Sequence, residues 1–161
     1  MIDKKNTLIL FVILFFTTLS LIIAFVIEYG LGHEPCKLCI YQRYPYLISI
    51  VLLLSILILK KNIKIHLILL SIVSLIGGTI AFYHLGIEQG FFNESVVCET
   101  QNINENLSKE DILKQLKKNT VSCKEVTFRV FGLSLASINT VFSFALSYIF
   151  LKMYKNYEIN K

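Results

Sequence analysis

Four long apolar stretches dominate this 161-residue chain and constrain it more than any other feature. A helix that crosses a bilayer needs about 20 mostly apolar residues, with a range of about 17–25. The stretches 7–27 and 130–151 contain no charged residue. The stretch 65–87 has His66 and His84 near its ends, and 44–59 is the shortest, at 16 residues. Together they predict an all-α membrane protein. It would be a single domain, 1–161, in which four transmembrane helices form a bundle with two outward-facing loops, 28–43 and 86–129. Hydrophobic residues make up 55% of the chain and charged residues 17%, against about 25% charge in a soluble domain. An ordinary soluble globule and a disordered chain are both excluded by these values. Lys4 and Lys5 ahead of the first stretch suit a signal peptide. The apolar run is longer than the 7–15 residues of such a peptide, and no A-x-A site follows, so it reads as a retained anchor.

The formal net charge of +5 is distributed in a way that gives orientation. Lys4 and Lys5, then Lys60, Lys61 and Lys64, then Lys152, Lys155 and Lys161 all fall on one side of the four-span topology. The short loop on the other side has Lys37 and Arg43, and the long loop has six basic residues against seven acidic ones. Basic residues in short loops mark the cytoplasmic side. Both termini are therefore expected in the cytoplasm, with both loops outside. The basic excess is a topology signal, and no nucleic-acid partner is expected. In the long loop, Ser108-Lys109-Glu110-Asp111 has the form of a capping box, with Leu107 and Ile112 placed for a hydrophobic staple. A short amphipathic helix over 108–118 follows, either on the membrane surface or packed on its neighbours. Asn93-Glu94-Ser95 and Asn106-Leu107-Ser108 match a glycosylation pattern that a bacterial setting would leave idle.

All four cysteines, Cys36, Cys39, Cys98 and Cys123, fall in the two outward loops. In an oxidising compartment such thiols form disulfides. Cys36 and Cys39 form a C-x-x-C, whereas Cys98 and Cys123 bracket the long loop. The C-x-x-C is open to redox, structural or metal chemistry. A zinc site would favour two C-x-x-C units, and there is one, with His33 as a possible extra ligand. Its surroundings favour reactivity. Pro35 suits a helix start, where the dipole stabilises a thiolate. Arg43 lies four residues after Cys39, so on a helix it shares a face with that sulfur and lowers its pKa. Pro45 predicts a break or kink just after Arg43. Tyr41, Tyr44 and Tyr46 suit an interfacial aromatic belt.

At residues 35–43, Pro-Cys-Lys-Leu-Cys-Ile-Tyr-Gln-Arg, the chain resembles the DsbB family of membrane disulfide-bond-forming enzymes. Glu28-Tyr29-Gly30-Leu31-Gly32, Tyr83-His84, Cys123-Lys124-Glu125-Val126 and Phe131-Gly132-Leu133-Ser134 agree with it, and the order of spans, loops and cysteines matches nearly throughout. Gln42 stands where some members have Glu; Arg43 is kept. The resemblance implies a bacterial inner-membrane dithiol:quinone oxidoreductase. Such an enzyme reoxidises a soluble thioredoxin-like, DsbA-like donor in the periplasm and passes electrons to a ubiquinone or menaquinone in the bilayer. Carried over by position, Cys98–Cys123 would be the disulfide that meets the donor, with Cys98 attacked by its thiolate. Cys36 would link to Cys123, and Cys39 would react with the quinone. Arg43 would support Cys39 and the quinone, and His84 would lie near the quinone. No metal is expected. Three rivals remain: a membrane protein with structural disulfides, a Cys-rich metal-binding membrane protein, and a vitamin K epoxide reductase-type oxidoreductase. In the last of these the loop cysteines precede the C-x-x-C, the reverse of the order here.

Overall fold

A computed structural model describes residues 4–93, 98, 122–124, 129–130 and 132–159. Helix α1 runs over Lys4–Phe25 and continues as a π-helical turn, Val26–Gly30. Then come α2 (Lys37–Tyr41), α3 (Arg43–Leu59), α4 (Ile63–Glu88), two-residue strands β1 (Arg129–Val130) and β2 (Leu133–Ser134), and α5 (Leu135–Ile159). The strands pair antiparallel, Arg129 with Ser134 and Val130 with Leu133. Among the described residues, four segments are long and apolar enough to cross a membrane: Lys4–Gly30, Lys37–Leu59, Ile63–Glu88 and Leu135–Tyr157. Large apolar side chains such as Phe15, Val51, Ile58 and Val141 point outward, Val141 with 72% of its surface exposed. In water this surface would aggregate; in a bilayer it is the lipid face.

Two boundaries differ from the sequence reading, and each has a local cause. The second span is 23 residues long, not 16, because α2 and α3 follow one another with a break of one residue at Gln42. That break comes before Arg43 rather than after it. Pro45 is therefore the third residue of α3, in the first turn, where a missing N–H leaves no bond unmade. The fourth span starts at Leu135 rather than 130. The Ser134 hydroxyl accepts from the Ser137 amide at 3.2 Å and caps the helix there. The proposed helix over 108–118 lies outside the described residues.

The up-down order places the connections after α1 and after α4 at one end of the bundle. The tight α3–α4 connection lies at the other, with Lys60 and Asn62 both left-handed, at φ 52° and 51°. At that end the core is apolar. Leu10 and Ile13 of α1, Leu53 and Ile56 of α3, Leu67 and Leu70 of α4, and Leu146 and Phe150 of α5 form one buried cluster. Between α4 and α5 the backbones come close. The Ser71 and Ser147 hydroxyls each donate to the other's carbonyl, at 3.1 and 3.0 Å. A Cβ at Gly77 would sit 3.1 Å from the Pro45 Cβ, so this glycine sets how near α3 lies to α4. Gly90, at φ 77°, turns the chain out of α4 toward the long loop.

Candidate functional site

Cys36 is the N-cap of α2. Its sulfur accepts the Cys39 amide at 3.3 Å and lies 3.0 Å from the Cys39 sulfur. The C-x-x-C spacing places the second cysteine at the third helical position, so that both sulfurs meet the open amides of the first turn. Both are free thiols, Cys36 buried and Cys39 half-buried. A hydrogen bond between the two side chains, Cys36 and Cys39, is the strongest influence on Cys36. Burial opposes it, and a hydrogen bond with His84 reinforces it; the Cys36 thiol is lowered to about 4. Of the two sulfurs, Cys36 is the one whose thiolate form its surroundings favour. The helix start expected from Pro35 is present, with Pro35 one residue ahead of the cap.

His84, near the end of α4, brings its Nε2 to 3.5 Å from the Cys36 sulfur. The histidine that meets the cysteines is thus 48 residues away in sequence, rather than the nearby His33. The donor atoms of Cys36, Cys39 and His84 lie within 4.8 Å of one another, close enough to be shared by one ion. Glu88, one helical turn further on, places Oε1 3.6 Å from the same Nε2, and both side chains are almost fully buried. Its Oε2 has no hydrogen-bond partner among the described residues.

Cys98 and Cys123 form a disulfide, at 2% and 1% exposure. It packs in one buried cluster with Cys36, Leu38 and Ile87. The Cys123 backbone also interacts with the His84 ring. The two cysteine pairs, separated by α3 and α4 in sequence, are therefore adjacent in space, with one disulfide closed and one dithiol open.

Beside the dithiol a cavity of about 460 Å³ opens between α1, α3 and α5. Apolar side chains such as Phe16, Ile27, Ile138 and Phe142 line it, and Cys39, Arg43 and His84 supply polar groups. Its volume lies within the range of about 300–1,000 Å³ usual for small-molecule sites. Arg43 faces this cavity, but its recorded ion pair is with Glu28, at 2.5 Å, and its guanidinium lies 5.0 Å from the centre of the Phe25 ring. The π turn carries Glu28 to that position; such turns recur at functional sites. Of the three tyrosines expected in an aromatic belt, Tyr41 and Tyr44 are exposed. Tyr46 turns inward and donates to Asn139 Oδ1.

The sequence reading missed Glu28, Gln42, Glu88 and Asn139 as site residues. A polar side chain inside a membrane span is a signal of function. For Asn139, inside the span 130–151, that signal was present; Gln42 fell in the predicted loop 28–43, and nothing local indicated that the two touch.

The family described as "Disulfide bond formation protein DsbB" matches residues 6–153. The chain is also 30% identical over 137 residues to "Uncharacterized protein RP370" of Rickettsia prowazekii (strain Madrid E), covering 84% of this chain and 80% of that one. No solved structure matches it. With four membrane-crossing helices, two cysteine pairs at one end and a match over nearly its whole length, the chain belongs to the DsbB family of membrane disulfide bond formation proteins.

Proposed function

We propose that this protein is a dithiol:quinone oxidoreductase of a bacterial inner membrane. It would take electrons from a soluble, DsbA-like dithiol protein and deliver them to a membrane quinone. The observation that carries this reading is the convergence of four sulfurs. A closed Cys98–Cys123 disulfide is packed against Cys36, and Cys36 and Cys39 are free thiols beside an apolar cavity. The lysine-rich segments at the opposite end favour cytoplasmic termini and periplasmic cysteines.

Thiol–disulfide exchange proceeds by thiolate attack through mixed disulfides. The donor's thiolate breaks the Cys98–Cys123 bond by attacking Cys98. Resolution by its second thiolate leaves the donor oxidised and Cys98 and Cys123 reduced. Cys98 is buried, so the donor must uncover this pair before it can attack. Cys123 then attacks the Cys36–Cys39 disulfide at Cys36. Cys98 resolves the Cys36–Cys123 link, and Cys36 and Cys39 become the dithiol seen here. Closing that dithiol again releases two electrons and two protons. The apolar cavity suits an isoprenoid quinone, which would supply the two-electron sink. Cys39 and Arg43 would contact its head group, and Phe16, Ile27 and Phe142 would hold its apolar part. His84 would lie at the dithiol end of the site.

The test is quinone reduction by purified protein with a reduced thioredoxin-like donor, in the wild type and in the four single Cys→Ser variants. Cys39→Ser is expected to abolish quinone reduction, and Cys98→Ser to block exchange with the donor. Turnover that survives Cys39→Ser overturns the assignment. A pair of structural disulfides would resist mild reductant, and a metal site would keep its thiols reduced.

A further inference from the structure

The two ring nitrogens of His84 have opposite kinds of neighbour. Gln42 Nε2, a pure donor, lies 2.9 Å from Nδ1, so Nδ1 must accept. A neutral imidazole that accepts at Nδ1 carries its proton on Nε2. The neighbours of Nε2 are acceptors, the Cys36 sulfur at 3.5 Å and Glu88 Oε1 at 3.6 Å. The Gln42 amide is itself held in place. Its Oε1 accepts from Asn139 Nδ2 at 2.5 Å. Asn139 Oδ1 in turn accepts from the Tyr46 hydroxyl at 2.5 Å and the Ser143 hydroxyl at 3.1 Å. Turning Gln42 over would require Asn139 and both hydroxyls to reverse together. Gln42 and His84 are both buried, at 7% and 4% exposure, so each is held chiefly by these protein partners.

We propose that Gln42 is a positioning residue that locks His84 in its Nε2–H form, so that the ring always presents a donor to the Cys36 sulfur. Asn139 and Tyr46 set the direction of the lock. This rests on the reading of Cys36 as a redox sulfur. A nitrogen that carries a proton is no ligand, so the same lock disfavours a metal shared by the ring and the two cysteines. The titratable and charged groups around the ring come from each neighbouring element. Cys36 and Cys39 come from the start of α2, Glu88 from α4, and Tyr46 and Arg43 from α3, with Arg43 paired to Glu28 of the π turn. His33 and Glu34 line the cavity from the link before α2, and α5 brings the untitratable Asn139.

The test is nitrogen NMR of the reduced, ¹⁵N-histidine-labelled full chain in nanodiscs at pH 7. The chain has three histidines, and His33→Gln and His66→Gln variants assign the His84 signals. The expected wild-type spectrum shows Nδ1 bare and Nε2 protonated. In Gln42→Glu, Nδ1 becomes protonated, because a carboxylate can only accept. A wild-type Nδ1 that carries a proton overturns the proposal even if no variant folds. So does a folded Gln42→Glu protein with an unchanged spectrum. In Gln42→Leu, the midpoint pH of Cys36 alkylation, located by mass spectrometry, is expected to rise by about one unit; an unmoved midpoint overturns the lock's effect on the sulfur. None of these measurements needs turnover. A chain that shows the lock but reduces no quinone refutes the proposed function alone.

Discussion

The two ends of the bundle are built from different materials. At the lysine end, all four long helices meet through side chains such as Leu10, Leu53, Leu70 and Phe150, packed without exposure. At the cysteine end, the interior holds two cysteine pairs, His84, Glu88 and Gln42, and a cavity of about 460 Å³ opens beside them. An apolar contact tolerates any arrangement that fills space, whereas a buried donor or acceptor requires a particular partner. The lysine end therefore carries cohesion. The cysteine end gives up packing to hold thiols and polar groups, and its polar atoms are paired almost completely; Glu88 Oε2 is the exception among the described residues.

The comparison can be broken by exchanging the consequences of mutation between the ends. The largest effect on activity is expected from Cys39→Ser. Quinone reduction, followed by absorbance, should fall to background while the thermal unfolding midpoint stays within a few degrees of wild type. Phe150→Ala should do the reverse and destabilise by about 3–5 kcal/mol, read by unfolding in mixed micelles. In the fraction still folded, Cys36 alkylation should remain unchanged. A Phe150→Ala protein that is stable but has a dead Cys36 would show that the two ends are not separate.

Smaller effects sharpen the picture within the cysteine end. Arg43→Gln leaves Glu28 without its cation. It is expected to reduce kcat/KM for quinone by about tenfold, equivalent to one charge-assisted hydrogen bond of about 1.5 kcal/mol. Donor exchange at Cys98 should change less; equal losses would deny Arg43 a place at the cavity. The pH dependence has a definite sign. Because the Cys36 thiol is lowered to about 4, its alkylation should be flat from pH 8 to pH 6 and fall as pH drops through about 4. A midpoint near 8 would remove the thiolate. The smallest effect is expected on the lipid face, where Val141→Leu, at a position 72% exposed, should shift stability by no more than about 0.5 kcal/mol.

Much of the architecture was legible in the residue order, because a bilayer tests each segment by length and apolarity, and both are local properties. Thus 7–27 and 65–87 lie within observed helices. The sequence starts the second span at 44, after the charge of Arg43, with Pro45 predicting a break beside it. In the fold, an N-cap at Gln42 makes both compatible with the first turn of α3. The cysteine pairs were legible for a similar reason, since Cys36 and Cys39 are neighbours in the chain. The contacts around His84 were not. Glu88 lies one turn away on the same helix, but Gln42 and Cys36 reach the ring from elsewhere in the chain, with Asn139 of α5 behind Gln42, and no spacing along the chain encodes a meeting between helices.

The sequence by itself determined four apolar spans, a basic end, and four cysteines gathered in two loops at the opposite end. Those properties follow from transfer free energies and charge counts that do not depend on the partner of any one side chain. Only the tertiary structure decided which histidine meets Cys36, that Arg43 pairs with Glu28, and which way the Gln42 amide points. Each of these is a choice among several buried donors and acceptors. Such a choice is made only when helices distant in sequence pack closely enough for an unpaired polar atom to be costly.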